Sequence, residues 1–337
     1  MGKFMLEKTA KIIVTGAGGF IGGALVNHLF NQGYTNLRAA DIKPLNEWYQ
    51  INPKVENKQF DLKEKEACFS ICENADYVFN LAADMGGMGF IEHNKALCML
   101  SSLINTHMLM AASHNKVKRF FFSSSACVYA GDKQTNADVT ALKEADAYPA
   151  LAEDGYGWEK LFSERMCRHF DEDYGLVCRV ARYHNVYGPL GTYDGGREKA
   201  PAAICRKVIE AQMNKTGQIE IWGDGEQTRS FMYIDDCIKG TIDIMNSHIT
   251  YPINLGSSEL VSINKLVDIV EEIAGIKLKR NYNLSAPKGV RGRNSDNTLI
   301  KKELNWEPSI ALKDGMKKTY EWIYEQMADP SNALKFA

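Results

Sequence analysis

Along the first half of the chain, short apolar runs alternate with stretches of helical spacing. Runs rich in β-branched and aromatic residues predict strands at Lys11–Thr15, Leu37–Asp41, Tyr77–Leu81, Arg119–Ser123 and Val177–Tyr183, with a weaker one near Gln59–Asp61. Between them, apolar positions recur at helical intervals over Ile21–Gln32, closed by Gly33, over about Asn94–His114, and over Gly157–Tyr174. Strand–helix alternation of this kind predicts parallel βαβ units, and so an α/β fold with a doubly wound parallel sheet. The second half changes texture. Glycine-rich loops at Gly188–Gly196 and Gly223–Gln227 surround a short strand at Ile253–Leu255, and amphipathic helices are expected at Ile263–Ala274 and Leu312–Met327. The expected division is a cofactor-binding unit over 9–184, to which 230–256 returns, and a smaller substrate-binding unit over 185–229 and 257–330.

Chemistry enters at the end of the first strand, which runs into Gly16-Ala17-Gly18-Gly19-Phe20-Ile21-Gly22 and then a helix. Glycines let the backbone approach a pyrophosphate, and the helix N-terminus offers free N–H groups to it, as in a Rossmann dinucleotide site. Asp41 ends the second strand, where a carboxylate accepts both ribose hydroxyls and repels a 2′-phosphate, favouring NAD over NADP. Lys43, two residues on, works against that preference. Asp61 is expected at the adenine end.

Tyr156 and Lys160 stand four apart on a predicted helix and share a face. An ammonium beside the phenol, aided by a positive nicotinamide, would lower it from about 10 toward neutrality and let it take a proton from a substrate hydroxyl. Tyr129 and Lys133 repeat the spacing, but Gly131-Asp132 between them predicts a turn. The strand ending in Ser123-Ser124-Ser125-Ala126-Cys127 brings hydroxyls and a thiol to the carboxyl edge of the sheet, where such folds bind ligands. Ser125 is placed to bond the same substrate oxygen. Cys127 reads as either a small packing residue or an acid/base thiol.

Composition narrows the class. A length of 337 residues suggests two domains at roughly 150 residues each, and 45% hydrophobic with 24% charged residues argues against disorder. Forty basic side chains against 42 acidic ones leave a formal charge of −2, so no basic field points to nucleic acid. No run approaches the roughly 18–20 consecutive apolar residues of a membrane span, and the mixed charges of Met1–Lys8 do not read as an export signal. The eight cysteines are scattered, with no Cys-x-x-Cys pair, so neither a metal site nor a disulfide framework is expected. A cytoplasmic location follows as the expectation.

The glycine loop, Asp41, Leu81-Ala82-Ala83, the serine strand end and the Tyr156/Lys160 pair resemble an extended short-chain dehydrogenase/reductase. Longer strings at Asn80–Phe90, Ser124–Tyr129, Gly195–Ala202, Trp222–Phe231 and Gly289–Asn297 resemble the GDP-mannose 3,5-epimerase family, in unbroken order over about residues 10–325. The resemblance implies tightly bound NAD, a GDP-sugar substrate, oxidation at carbon 4, epimerisation at carbons 3 and 5, and re-reduction. GDP-D-mannose would give GDP-L-galactose and GDP-L-gulose. It implies Tyr156, Lys160 and Ser125 at carbon 4, and Cys127 and Lys199 as the acid/base pair. NAD would touch Gly16, Gly18, Gly19, Phe20, Ile21, Gly22, Asp41, Asp61, Leu81, Ala82 and Ala83. The sugar nucleotide would touch Gly86, Ala126, Asn185, Glu198, Ala200, Lys207 and Gln227, with Arg229, Arg291 and Arg293 on the diphosphate. A homodimer is usual in that superfamily. Three competing readings stand beside this one, of which a sugar 4,6-dehydratase would want carboxylates beside the strand-five hydroxyl, where Ser125-Ala126-Cys127 has none. A GDP-4-keto-6-deoxymannose 3,5-epimerase-reductase would need NADPH, against Asp41. A non-enzymatic NAD-binding regulator would have no need of the four chemical groups together.

Overall fold

The computed structural model describes residues 4–329. Met1–Lys3, part of the opening segment read above, and residue 330, the expected far boundary of the second unit, lie outside them. Six strands alternate with helices through the first half: β1 (Ile12–Thr15), β2 (Leu37–Asp41), β3 (Glu56–Gln59), β4 (Tyr77–Asn80), β5 (Arg119–Ser125) and β6 (Cys178–Tyr183). Their helices are α1 (Phe20–Asn31), α2 (Lys65–Ile71), α3 (Met88–His93), α4 (Lys95–Met99), α5 (Ser101–His114) and α6 (Asp154–Tyr174). The rest of the chain supplies α7 (Ala200–Met213), α8 (Ile234–Asn246), α9 (Ile263–Ala274), α10 (Thr298–Leu304) and α11 (Leu312–Ala328). Short strands there are β7 (Val186–Tyr187), β8 (Gln218–Trp222), β9 (Thr228–Ser230), β10 (Met232–Tyr233), β11 (Ile253–Leu255), β12 (Leu260–Ser262), β13 (Lys279–Asn283) and β14 (Gly292–Arg293).

Seven strands form one parallel sheet in the order β11-β6-β5-β4-β1-β2-β3. The order reverses at β1, leaving a crevice between the carboxyl ends of β1 and β4, where a doubly wound sheet takes its ligand. The central strands β1 and β4 are buried throughout, as a parallel sheet covered on both faces requires. β11 pairs with β6 through Ile253–Ala181 to Leu255–Tyr183, so a late segment closes the sheet. The smaller sheets β12-β9-β14, β13-β8 and β10-β7 stand outside it; the Gly223–Gln227 loop joins β8 to β9, and Gly188–Gly196 follows β7.

The apolar stretch expected as one helix is divided at Leu100 into α4 and α5. Lys95–His114 holds an 18-residue window of mean hydropathy 1.3, long and apolar enough to cross a membrane by length and composition, although it is no run of consecutive apolar residues. Here one side of that run packs against α2 and α6. Helix α6 begins at Asp154, three residues before the expected start, and this puts Tyr156 inside its first turn.

Candidate active site

The dinucleotide cradle is built by close backbone approaches. Gly16 has φ +70°, and a Cβ there would stand 2.9 Å from the Leu81 carbonyl carbon. At Gly22 a Cβ would meet the Gly16 oxygen at 2.2 Å, so α1 can sit this close to the turn only with glycine. Gly19 caps α1 with no side-chain hydrogen bond, leaving the first-turn N–H groups to a ligand. The Thr15 hydroxyl accepts from the N–H groups of Leu81 (3.1 Å) and Ala82 (3.2 Å) and donates to Asn80 Oδ1, locking Leu81–Ala83 beside the glycines. Asp41 accepts from the Gly18 and Lys43 N–H groups at 3.0 Å each, and each carboxylate oxygen keeps a lone pair for a ribose hydroxyl. Burial raises its carboxyl, opposed by those N–H groups and Lys43. Asp61 accepts from the Lys63 N–H and lies 3.8 Å from the Lys63 ammonium. Phe20 packs against Gly188 and Gly191, tying the start of α1 to the loop after β7.

The chemical groups meet where β5 ends. Ser125 Oγ accepts from the Cys127 N–H at 3.2 Å and so turns the chain into a short 3₁₀ turn over Ala126–Val128. The Cys127 carbonyl accepts from the Glu153 N–H at 2.9 Å, and a Cβ at Gly157 would lie 2.3 Å from that carbonyl oxygen. Helix α6 is therefore seated directly on the strand end, which brings Tyr156 to Ser125. The Tyr156 phenol is hydrogen-bonded to Ser125, which pulls its proton affinity down. Burial is the larger influence and, with Cys127 and Glu159, holds the phenol well above the usual tyrosine range. The lowering expected from Lys160 together with a positive nicotinamide is outweighed, among the protein's own groups, by burial. The Lys160 ammonium is buried, 5.6 Å from the Tyr156 ring centre, 4.7 Å from that of Phe122 and 3.8 Å from Glu159 Oε2. Tyr129 is apart, bonded to Asn254, while Lys133 pairs with Asp146.

Lys199 reaches the same place from the other side. The Gly87 N–H donates to the Arg197 carbonyl at 3.0 Å, and a Cβ at Gly87 would lie 2.2 Å from the Glu198 carbonyl oxygen. Arg197 donates to the Met85 carbonyl and stacks 3.8 Å over Phe90. This clasp, with Gly86 against Phe90, fixes Lys199 at the N-cap of α7, immediately before Ala200. Its ammonium makes no hydrogen bond or ion pair among the described residues. Burial lowers its proton affinity, opposed by the nearby thiols of Cys127 and Cys237. Burial raises the Cys127 thiol.

The expected substrate contacts take several settings. Glu198 accepts from the Gly196 N–H and pairs with Arg206. Asn185 donates to the Ser230 carbonyl. Lys207 donates to the Glu220 carbonyl and stands 5.5 Å over Trp222. Gln227 donates to the Trp222 carbonyl and leaves its own buried Oε1 without a partner. The three arginines do not form one open grip. Arg229 is bonded to the carbonyls of Thr228, Lys288 and Val290, with burial lowering its proton affinity to about 10. Arg291 is paired with Asp224 at 2.7 Å. Arg293 is buried against Gln134, Glu153 and Cys127. Glu153 and Gln134 went unnoticed in the sequence, although a carboxylate three residues before Tyr156 at the start of a helix was a usable signal for the first.

Residues 12–256 match the model of the NAD dependent epimerase/dehydratase family. The chain belongs to this family. Within this epimerase/dehydratase family it is 46% identical over 318 residues to GDP-mannose 3,5-epimerase 1 of Oryza sativa subsp. indica, covering 94% of this chain and 82% of that one. It is likewise 46% identical over 322 residues to GDP-mannose 3,5-epimerase of Arabidopsis thaliana, covering 95% and 84%. Among solved structures of the family's fold, UDP-glucose 4-epimerase of Thermotoga maritima, with UDP-glucose, superposes with a TM-score of 0.84 at 26% identity, covering 94% and 99%.

Proposed function

We propose that the chain epimerises GDP-D-mannose at carbons 3 and 5, passing through a 4-keto sugar, to give GDP-L-galactose and, by inversion at carbon 5 alone, GDP-L-gulose. The observation that carries this reading is the meeting of a thiol, Cys127, and an unpaired lysine, Lys199, beside Tyr156 and Ser125. The near full-length identity to curated GDP-mannose 3,5-epimerases supports it. Bound in the glycine cradle, NAD would accept a hydride from carbon 4 and later return it. Tyr156, bonded to Ser125, takes the proton of the carbon 4 hydroxyl and gives it back. A ketone at carbon 4 acidifies the neighbouring C–H bonds, because an enolate can carry the charge. Inversion then needs one group to remove a proton and another to return one on the opposite face, the roles of Cys127 and Lys199. The buried, unpartnered Gln227 Oε1 and the Lys207–Trp222 pair support a nucleotide subsite on this side.

We further propose that the protein works as a homodimer. Leu100 and Leu103, and Trp158 and Phe162 on α6, which packs against α4 and α5, are large apolar side chains 41–49% exposed. A second copy of the same face would cover them. Eight free thiols fit a reducing, cytoplasmic setting. Incubation with GDP-mannose in D2O without added cofactor tests the activity. Deuterium at carbons 3 and 5 with new GDP-hexose isomers is expected, and an undeuterated, unchanged substrate would refute it.

A further inference from the structure

Cys127 has a neighbour that the reaction above leaves unused. The two residues are clamped at the backbone, by the Glu153 N–H on the Cys127 carbonyl, and each side chain acts on the protonation of the other. Arg293 bridges the two side chains. Its Nη2 donates to Glu153 Oε2 at 2.6 Å and its Nη1 to Cys127 Sγ at 3.5 Å, while its Nε donates to Gln134 Oε1 at 2.7 Å. The cluster is assembled from three segments, the strand end, the start of α6 and β14, and Arg293 is only 4% exposed. Burying a guanidinium and a carboxylate is costly unless both are fully paired, so packing alone gives no reason to put them against a thiol.

Glu153 also has a second face. It lines an open cavity of about 530 Å³ together with Met88, Ile91, His93, Lys288 and Gly289. Glu153 thus lies between the buried thiol and a space open to water, with its side chain 13% exposed.

We propose that Glu153 carries protons between the Cys127 thiol and the water of this cavity, with Arg293 as the shared counter-charge. The proposal rests on the epimerase reading, in which each inversion leaves one acid/base group with a proton gained and the other with one lost. Both must be reset before the next inversion. In the emptying direction the Cys127 S–H bond breaks and an O–H bond forms on Glu153, leaving a thiolate beside the Arg293 guanidinium. The carboxyl then passes its proton to water and the carboxylate is restored. Refilling runs the same steps backwards. Glu153 is thus a positioning and relay residue, acting through Cys127 and not on the sugar.

The electrostatic surroundings favour the refilling direction and make emptying the uphill step. Burial opposes the Glu153 charge, but Arg293, Cys127 and Arg229 outweigh it and hold the carboxyl below the usual range. On the thiol, burial and the Glu153 charge favour the protonated form while Arg293 and Ser125 favour the thiolate. The other titratable groups around Cys127 are Tyr156, Lys199 and Cys98. Those facing the cavity beside Glu153 are Glu92, His93, Asp154 and Lys288.

The test compares wild type with Glu153→Gln and Glu153→Asp by two rates: deuterium entry from D2O into carbons 3 and 5 of GDP-mannose, and alkylation of Cys127 by iodoacetamide, followed on its peptide by mass spectrometry. Removing the negative charge makes the thiolate easier to form, so E153Q should be alkylated faster at neutral pH. Deuterium entry should nevertheless fall by about 100-fold, the scale of a lost proton-transfer group. E153D keeps the charge, so its alkylation should stay near wild type while deuterium entry falls between the other two. That comparison stands even where E153Q does not fold. Wild-type deuterium entry in both variants would overturn the relay, as would both rates falling together in E153Q with no recovery in E153D. Wild type that exchanges no deuterium would sink the epimerase reading and the relay with it. Wild type that exchanges while E153Q does so equally well would sink the relay alone.

Discussion

A lysine that caps a helix, stands half-buried and meets no carboxylate adds nothing to the stability of the fold, and Lys199 is such a residue. Burial lowers its ammonium below the ordinary lysine range, which makes the proton easier to lose. Lys199→Arg keeps the charge but not the titration, because a guanidinium stays protonated. In that variant, formation of epimers is expected to drop by about 100-fold or more, with GDP-mannose affinity changed only a few-fold. Steady-state turnover and titration calorimetry measure the two, and wild-type turnover would remove Lys199 from the chemistry. The sign of the pH dependence follows. A step that uses the lysine as acid is lost as pH rises through its folded value, so the alkaline limb of deuterium exchange should lie below the ordinary lysine range. Tyr156, Lys160, Asp41 and the glycine loop were legible because their spacing is local. Arg293 and Cys127 are 166 positions apart, and only folding brings them together.

The β1–turn–α1 unit shows how an element carries function through its backbone. Gly16→Ala would put a side chain at φ +70° and against the Leu81 backbone, and both must yield. The expected result is a loss of about 1–3 kcal/mol in stability together with loss of bound NAD, read as the melting temperature and the nicotinamide released on denaturation. Unchanged NAD content would mean that the cradle is misplaced. Elements of this half were readable because strands buried on both faces are apolar throughout, as Ile12–Thr15 and Tyr77–Asn80 are. β3 was misplaced by a few residues because Glu56–Gln59 pairs through its backbone at the sheet edge and carries only polar, largely exposed side chains. Helix α7 escaped notice between the two glycine-rich loops, and α8 after the second of them. Ala200–Met213 turns a stripe of Ile204, Cys205, Val208 and Ile209 inward, a pattern diluted in the sequence by Arg206 and Lys207.

At the scale of the molecule, a formal charge of −2 conceals where the charges sit. Arg182, Arg229 and Arg293 are drawn inward to Glu164, to backbone carbonyls and to the Cys127 cluster, which the near-neutral total does not reveal. The same sorting leaves an apolar face on the outside. Helix α6 turns Tyr156, Lys160 and Glu164 inward and leaves Trp158 and Phe162 43% and 49% exposed, next to Leu103 on the neighbouring α5. A helix that carries the reacting phenol on one side and bare aromatic rings on the other gains rigidity if a second copy covers the rings. Burial of each such side chain is worth about 1.5–3 kcal/mol. The double variant Leu103→Glu, Phe162→Glu places four like charges in the paired face and should leave a monomer. Sedimentation should then give a mass near the 37.8 kDa of one chain, against about twice that for wild type. Because α6 loses its support, turnover is expected to fall several-fold while NAD stays bound through the distant glycine cradle. A wild-type protein that sediments as a single chain at working concentration would remove the dimer, and a double variant that stays paired would place the contact on another face.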